Sequence, residues 1–477
     1  MVRPVVASVS ERQNAYQSGA FMGDHLSGLI DSHAKGTAVS FNGADVSYRE
    51  LRALVADALR VLDGLPAGRP VALHVRKSPE SVALVLACWA QRRPFLLPPA
   101  DLGTDARAAL YRQAGCGHVL HADLTTVDTG EPADEVPELD GVGPMLTTSG
   151  STGLPKVVPL PHDGIDRFTD WAAGAFGITG GSVVFNYAPL NFDLCLLDIW
   201  TTLRRGGHVV LADQERAVDA RYLLRAFTHA RVEVVQAVPL FYRRLLEVAD
   251  GPFPDVRELV HTGDAMPPAL LARLPEFFPN ARLRNVYGCT ETNDSLIHDS
   301  DPTSADPVPI GRPIDGVQVR LDGGELLVRT PFQAGRYLDT AIADKWVEVD
   351  GETWLRTGDL VRQDADGVFH LDGRADYQVK VRGVRTNVQQ VEQALQSHAE
   401  VADVVVLAVP DDEAGYRLHA VVRAVDGTRP NSLTLRSHCA RLLPRTAVPS
   451  SLELTADEFP RTTTGKVDRK KLLAERV

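Results

Sequence analysis

The chain has 477 residues, 44% of them hydrophobic and 23% charged, with a formal net charge of −12. That length exceeds what one compact core organises and calls for at least two domains. An acidic balance without a long basic block argues against a nucleic-acid partner. The first residues, MVRPVVASVSERQNAYQ, lack the apolar core of a signal peptide, and no apolar run is long enough to cross a bilayer.

From about residue 46 to 215, short β-like runs alternate with helical stretches. YRELRALVADALRVL (48–62) carries apolar residues at helical spacing, while VALHV (71–75) and HVVLA (208–212) read as buried strands. Similar units continue through HARVEVVQAVP (229–239) and VRELVHTGDAM (256–266). This alternation predicts an α/β fold with mainly parallel sheets. Between 315 and 371 the Gly/Asp turns of VQVRLDGGELLVRT and GVFHLDGR predict β-hairpins. A new helix-then-strand run begins in VQQVEQALQSHAEVADVVVLAVPDD. The expected organisation is a large multi-sheet domain, 1–374, followed by a small mobile α+β domain, 375–477. Cys88, Cys116, Cys195, Cys289 and Cys439 show neither a CxxC pair nor metal-type spacing, and read as reduced thiols of a cytoplasmic protein.

Five segments carry chemistry. LTTSGSTGLPK (146–156) crowds hydroxyls, two glycines and a lysine between apolar flanks. Such a loop offers approachable backbone N–H groups, hydroxyl donors and a mobile cation to a polyphosphate. It does not fit the GxxxxGK[ST] pattern of P-loop enzymes. In NVYGCTET (285–292) a tyrosine is placed to stack on a base and Glu291 to hold Mg²⁺. WLRTGDL (354–360) places Asp359 after a glycine, where it accepts hydrogen bonds from ribose hydroxyls or is simply a turn aspartate. GRADYQVKVRG (373–383) marks a domain junction, and TTTGKVDRK (462–470) contains a Gly-Lys turn. The chain has only 8 lysines against 42 arginines, yet Lys156, Lys380 and Lys466 fall inside these segments. An ammonium is a compact point charge where arginine is a wide planar fork, so retained lysines mark places that need the former.

Taken in order, the five segments resemble the adenylate-forming superfamily of acyl-CoA synthetases, luciferases and nonribosomal peptide synthetase adenylation domains. The resemblance runs from VSYREL (46–51) to KVDR (466–469). It implies that a carboxylate attacks the α-phosphate of ATP and that a thiol then takes the acyl group. By the match, Thr148, Ser149, Gly150, Thr152, Gly153 and Lys156 hold the β- and γ-phosphates. Tyr287 stacks on adenine, Thr290 touches the α-phosphate, Glu291 ligates Mg²⁺, and Asp359 binds ribose with Arg374 nearby. Lys466 bridges carboxylate, α-phosphate and ribose during adenylation. Asp376 is the hinge, about which the small domain turns until Lys380 faces the site. The chain departs from the pattern at Cys289, at FLLPPADLG (95–103) and in GELLVRTPFQAGRYLD (324–339), and none of these removes a catalytic group.

NFDLCLLDIW (191–200), leading into the helix LCLLDIWTTL, is similar to the peptide-synthetase group. There Asp193 pairs with the substrate's amino group. The remaining pocket positions are Leu194, Leu197, Gln236, Val260, Thr262, Val286, Asp294 and Ser295, an aliphatic lining with a polar end and no aromatic residue. This implies a small amino acid such as alanine, glycine or serine. Asp294 keeps a diamino or β-amino acid open. The expected acceptor is the phosphopantetheine thiol of a carrier protein supplied in trans. The alternatives are free CoA, with an acyl or aryl acid as substrate, and an amine already tethered to a carrier.

Overall fold

The computed structural model describes residues 36–130, 137–148, 155–338, 345–381, 384–411, 415–443, 447–462 and 466–476. Packing separates the chain into two units. The larger runs to Arg320 and includes Val328–Leu355; the smaller comprises Leu321–Leu327 and the chain from Arg356 onward. This break lies earlier than the 374/375 division read from the sequence. The reason is pairing: Phe369–Arg374 runs antiparallel to the Asp359–Gln363 half of the strand Glu352–Gln363, with Asp359 opposite Arg374.

The α/β expectation is met in the larger unit by two sheets of nine and six strands, parallel in their centres and antiparallel at their edges. Parallel strands buried on both faces need continuous apolar runs. Val234–Ala237 and Glu258–Thr262 follow this only in part: Val234, Val235, Leu259 and Val260 are almost inaccessible, but Gln236, His261 and Thr262 are buried polar residues beside them. The helix Tyr48–Asp63 begins at Ser47, whose hydroxyl accepts from the Glu50 N–H while the Glu50 carboxylate accepts from Ser47 N–H. That reciprocal capping satisfies two of the four orphan donors of a helix start.

In the nine-stranded sheet, Val183–Asn186 lies between His208–Leu211 on one side and Val234–Ala237 on the other. The chain therefore reverses its direction of travel across the sheet at this point. In open parallel sheets, ligands settle outside the carboxyl ends of the strands flanking such a reversal.

The smaller unit contains a mixed sheet in which Val401–Asp411 runs antiparallel to Gly415–Ala424 and Ser451–Thr455 parallel to it. The helices Val388–Gln396 and Ser432–Leu442 contribute Val391, Leu395, Leu435 and Cys439 to its core. This is the predicted α+β pattern. No helix among the described residues is long and apolar enough to cross a membrane.

Candidate active site

The strand reversal brings Asn186, at the end of Val183–Asn186, beside Gln236. Seven residues beyond the end of that strand, the chain turns at Asp193 and then enters Leu196–Thr201. This is not the regular α-helix expected from LCLLDIWTTL but a π-helix. Thr201 Oγ1 donates to the Leu196 carbonyl at 2.7 Å, which helps close the wide turn. Single π turns inside helices concentrate at functional sites. Asp193 stands just ahead of this turn, its carbonyl accepting from Leu196 N–H at 2.8 Å.

Beneath it lies a buried polar cluster that the sequence reading did not include. Asp198 is wholly inaccessible and accepts from Asn186 Nδ2 at 3.0 Å. Lys77, 3% exposed, donates to the Tyr187 carbonyl at 3.0 Å. Loss of hydration pulls the Lys77 ammonium down to about 8, against the favourable charges of the Cys195 and Asp198 side chains. The same loss lifts Asp198 to about 7, opposed by the Asn186 hydrogen bond and by Lys77. Two charges that burial disfavours are thus kept within reach of each other. The cluster ties the π turn to the end of the central strand.

The predicted pocket residues lie at these strand ends. Leu197, Val260 and Val286 are buried apolar walls, and Leu194 is half-buried. Gln236 Nε2 donates to the Leu194 carbonyl at 3.1 Å. The hydroxyls are occupied within the protein: Thr262 Oγ1 donates to the Val286 carbonyl at 2.7 Å, and Ser295 Oγ to the Asn293 carbonyl at 3.1 Å. The strands Arg282–Cys289 and Asn293–Asp299 slip register between Tyr287 and Gly288, so that Tyr287 faces Leu296 while Gly288 faces Asp294. Ser295 is the extra residue of this bulge, a device that re-aims side chains. A Cβ on Gly288 would stand 2.2 Å from the Asn293 carbonyl oxygen, so only glycine permits this approach.

Thr148 and Lys156 are register partners across an antiparallel pair, Val142–Thr148 with Lys156–Pro161. They form the two shoulders of the predicted phosphate loop. Ser149, Gly150, Thr152 and Gly153 fall outside the described residues. Glu291, 7% exposed, accepts from the Tyr337 hydroxyl at 2.5 Å, and the Lys156 ammonium lies 4.8 Å from the centre of the Tyr337 ring. Desolvation, with Lys345 nearby, holds Lys156 below the usual lysine range, while Glu291 opposes the shift. Thr290, Glu291 and Thr292 form the turn after Cys289, closed by Thr292 N–H on the Cys289 carbonyl at 3.0 Å. Burial pushes the Cys289 thiol up, which makes it a poor nucleophile. No group of three or more potential metal ligands exists among the described residues. One partly engaged carboxylate fits Mg²⁺, which keeps waters and takes its other ligands from phosphates.

In the smaller unit, Thr357, Gly358 and Asp359 do not form a turn, as WLRTGDL suggested, but run inside the strand Glu352–Gln363. Gly358 adopts φ +80° there, and a Cβ at that position would stand 2.9 Å from Arg374 Nη2. Arg374 Nη1 donates to Asp359 Oδ1 at 2.8 Å, so these two predicted residues are neighbours. Lys466 is exposed, its carbonyl accepting from Thr462 N–H at 2.7 Å. Asp376 lies in the short 3₁₀ turn Ala375–Tyr377.

Residues 131–338 match the AMP-binding enzyme family, and residues 390–466 match the AMP-binding enzyme C-terminal domain. The L-proline–[L-prolyl-carrier protein] ligase of Pseudomonas fluorescens is 32% identical, over 84% of this chain and 81% of that protein. The chain belongs to the AMP-binding enzyme family. Phosphinothricin tripeptide synthetase PhsB of Streptomyces viridochromogenes is 33% identical over 94% of this chain but only 42% of its own length. This AMP-binding enzyme thus spans about two fifths of that relative. Klebsiella oxytoca NpsA, solved with 3-hydroxyanthranilyl-AMSN, shares the fold with a TM-score of 0.80 at 23% identity, covering 95% of this chain and 99% of that one.

Lys77, Asn186, Asp198 and Tyr337 were absent from the sequence reading of this AMP-binding enzyme's candidate site. Lys77 carried a usable signal, since it is one of 8 lysines in an arginine-rich chain. Tyr337 carried none, because nothing local in FQAGRYLD links it to a glutamate 46 residues earlier.

Proposed function

We propose that the chain is an ATP-dependent, AMP-forming ligase that activates a small α-amino acid and delivers it to the phosphopantetheine thiol of a carrier protein. The observation that carries this reading is Asp193, held ahead of the π turn at the strand reversal, with charge close enough to raise Asp294. In the first step a carboxylate oxygen of the amino acid attacks the α-phosphorus of ATP. The bond to the pyrophosphate oxygen breaks, and aminoacyl-adenylate and pyrophosphate result.

Asp193 orients the substrate through its ammonium. Thr148, Lys156 and the loop between them receive the β- and γ-phosphates, Tyr287 the adenine, and Thr290 the α-phosphate. Asp359, oriented by Arg374, receives the ribose. Lys466 neutralises charge developing between carboxylate and α-phosphate. Glu291 would hold Mg²⁺, which would offset phosphate charge when bound. In the second step the carrier thiolate attacks the carbonyl carbon and AMP departs. Positioning and charge neutralisation supply most of the rate in such transfers. The small domain pivots at Asp376 between the steps, bringing Lys380 to the site.

The test is pyrophosphate release or ATP–pyrophosphate exchange with small amino acids and their des-amino analogues, on wild type and Asp193→Ala. Wild type is expected to activate the amino acid and ignore the analogue. Leaving one member of a buried charge pair alone costs about 3–5 kcal/mol, so the variant loses most activity on the amino acid. A wild-type preference for the des-amino acid would replace this reading with that of an acyl-CoA synthetase.

A further inference from the structure

The pocket's polar atoms fall into two sets. The hydroxyls of Thr262 and Ser295 already donate to backbone carbonyls. By contrast, Oδ2 of Asp294 and Oε1 of Gln236 are buried with no hydrogen-bond partner among the described residues. Gln236 is 1% exposed, and its amide nitrogen is held by the Leu194 carbonyl, next in sequence to Asp193. That bond fixes the orientation of the amide and leaves its oxygen without a donor. Buried acceptors without donors are costly and rarely left so unless something else completes them.

Asp294 is not a surface carboxylate that strayed inward. The register slip opposite Gly288 and the left-handed backbone of Asn293, at φ +53°, set where it stands. Only the missing side chain at Gly288 allows the Asp294 backbone so close. Burial, and then the charges of Asp193 and Asp198, push the Asp294 carboxyl up to about 8. Asp198 has Lys77 as a buried countercharge, whereas among the described residues no cationic side chain acts on Asp294. A hydroxyl on the substrate has one proton to give and no charge. An ammonium has three protons and the missing charge, and so completes both acceptors while allowing Asp294 to ionise.

Resting on the amino-acid reading above, we propose that Asp294 and Gln236 form a side-chain subsite for a second amino group, and that the preferred substrate is a short diamino acid of the 2,3-diaminopropionate or 2,4-diaminobutyrate kind. The aliphatic walls of Leu197, Val260 and Val286 keep the side chain short and the subsite dry.

The experiment is ATP–pyrophosphate exchange with 2,3-diaminopropionate, 2,4-diaminobutyrate, alanine, serine and propionate, on wild type, Asp294→Asn and Asp294→Leu. A site built to bond a substrate N–H rejects the analogue lacking it by far more than a methylene is worth. Wild type should therefore prefer a diamino acid over alanine in kcat/KM by roughly a hundredfold or more. Asp294→Asn keeps the shape and removes the charge, and should erase most of that preference. Asp294→Leu should reverse it in favour of alanine. Wild type that prefers alanine or serine would overturn the diamino subsite and leave the amino-acid reading intact. Wild type that prefers propionate would overturn both. The wild-type ratio decides the matter even where a variant fails to fold.

Discussion

Two sets of groups, one in each unit, are built in opposite ways. In the larger unit Lys77, Asp198 and Glu291 are buried and engaged. Lys77 and Asp198 are 3% and 0% exposed, and Glu291 meets the Tyr337 hydroxyl under the Lys156 ammonium. In the smaller unit Lys466 is an exposed residue on a turn. A buried polar group has its chemistry set by its neighbours, whereas an exposed lysine is defined by what it meets. The larger unit therefore stores its preorganisation in its fold, and losing a group there costs stability along with activity. For Lys466 the two costs should separate.

The largest expected effect tests the buried half of this comparison. Lys77→Met should destabilise the protein by roughly 3 kcal/mol, because Asp198 stays buried without its countercharge. Denaturant unfolding measures this, and the double variant Lys77→Met/Asp198→Leu should recover much of the loss, since apolar replacement of both partners is often neutral. A stable single variant would mean that the cluster is not what holds the π turn. Lys466→Ala addresses the exposed half. Pyrophosphate exchange should fall roughly 10²–10³-fold, the scale of one preorganised donor, with the melting temperature unchanged. Thioester formation from supplied aminoacyl-adenylate should persist. A lowered melting temperature would place Lys466 among the structural groups and erase the contrast. The smallest effect is that of Tyr337→Phe, which removes one hydrogen bond to a carboxylate. About tenfold in kcat/KM for ATP is expected, together with a weaker response to Mg²⁺ in titration. An unchanged Mg²⁺ dependence would detach Tyr337 from the role assigned to Glu291.

Periodicity located the helix Tyr48–Asp63 and the strands Val71–Leu73 and His208–Leu211 to within two residues, because burial on a regular element repeats along the chain. Three features escaped it for a common reason. The π turn Leu196–Thr201, the bulge at Ser295 and the positive φ of Gly358 are each a one-residue departure from a regular period. Such departures are set by tertiary packing and leave no repeating trace. The Asp359–Arg374 neighbours were legible only through the family resemblance, since matched motifs pair residues even where periodicity is silent. The Glu291–Tyr337 contact joins two distant segments and was illegible for that reason.

The π turn also bears on how this pocket can change over evolutionary time. A π turn holds one residue more than the α-turn it replaces, so deleting any residue from Leu196–Thr201 would let the segment rewind as ordinary helix. One residue of α-helix is about 100° of rotation. Everything on the N-terminal side, Asp193 first, would swing by that angle relative to the anchored Asp198. Substitutions can retune the walls one methyl group at a time, but a single-codon deletion here would turn the amino-group contact away from the pocket in one event. The reading frame would be kept and so would most of the core. A change of this kind would reposition Asp193 without touching the walls of the pocket.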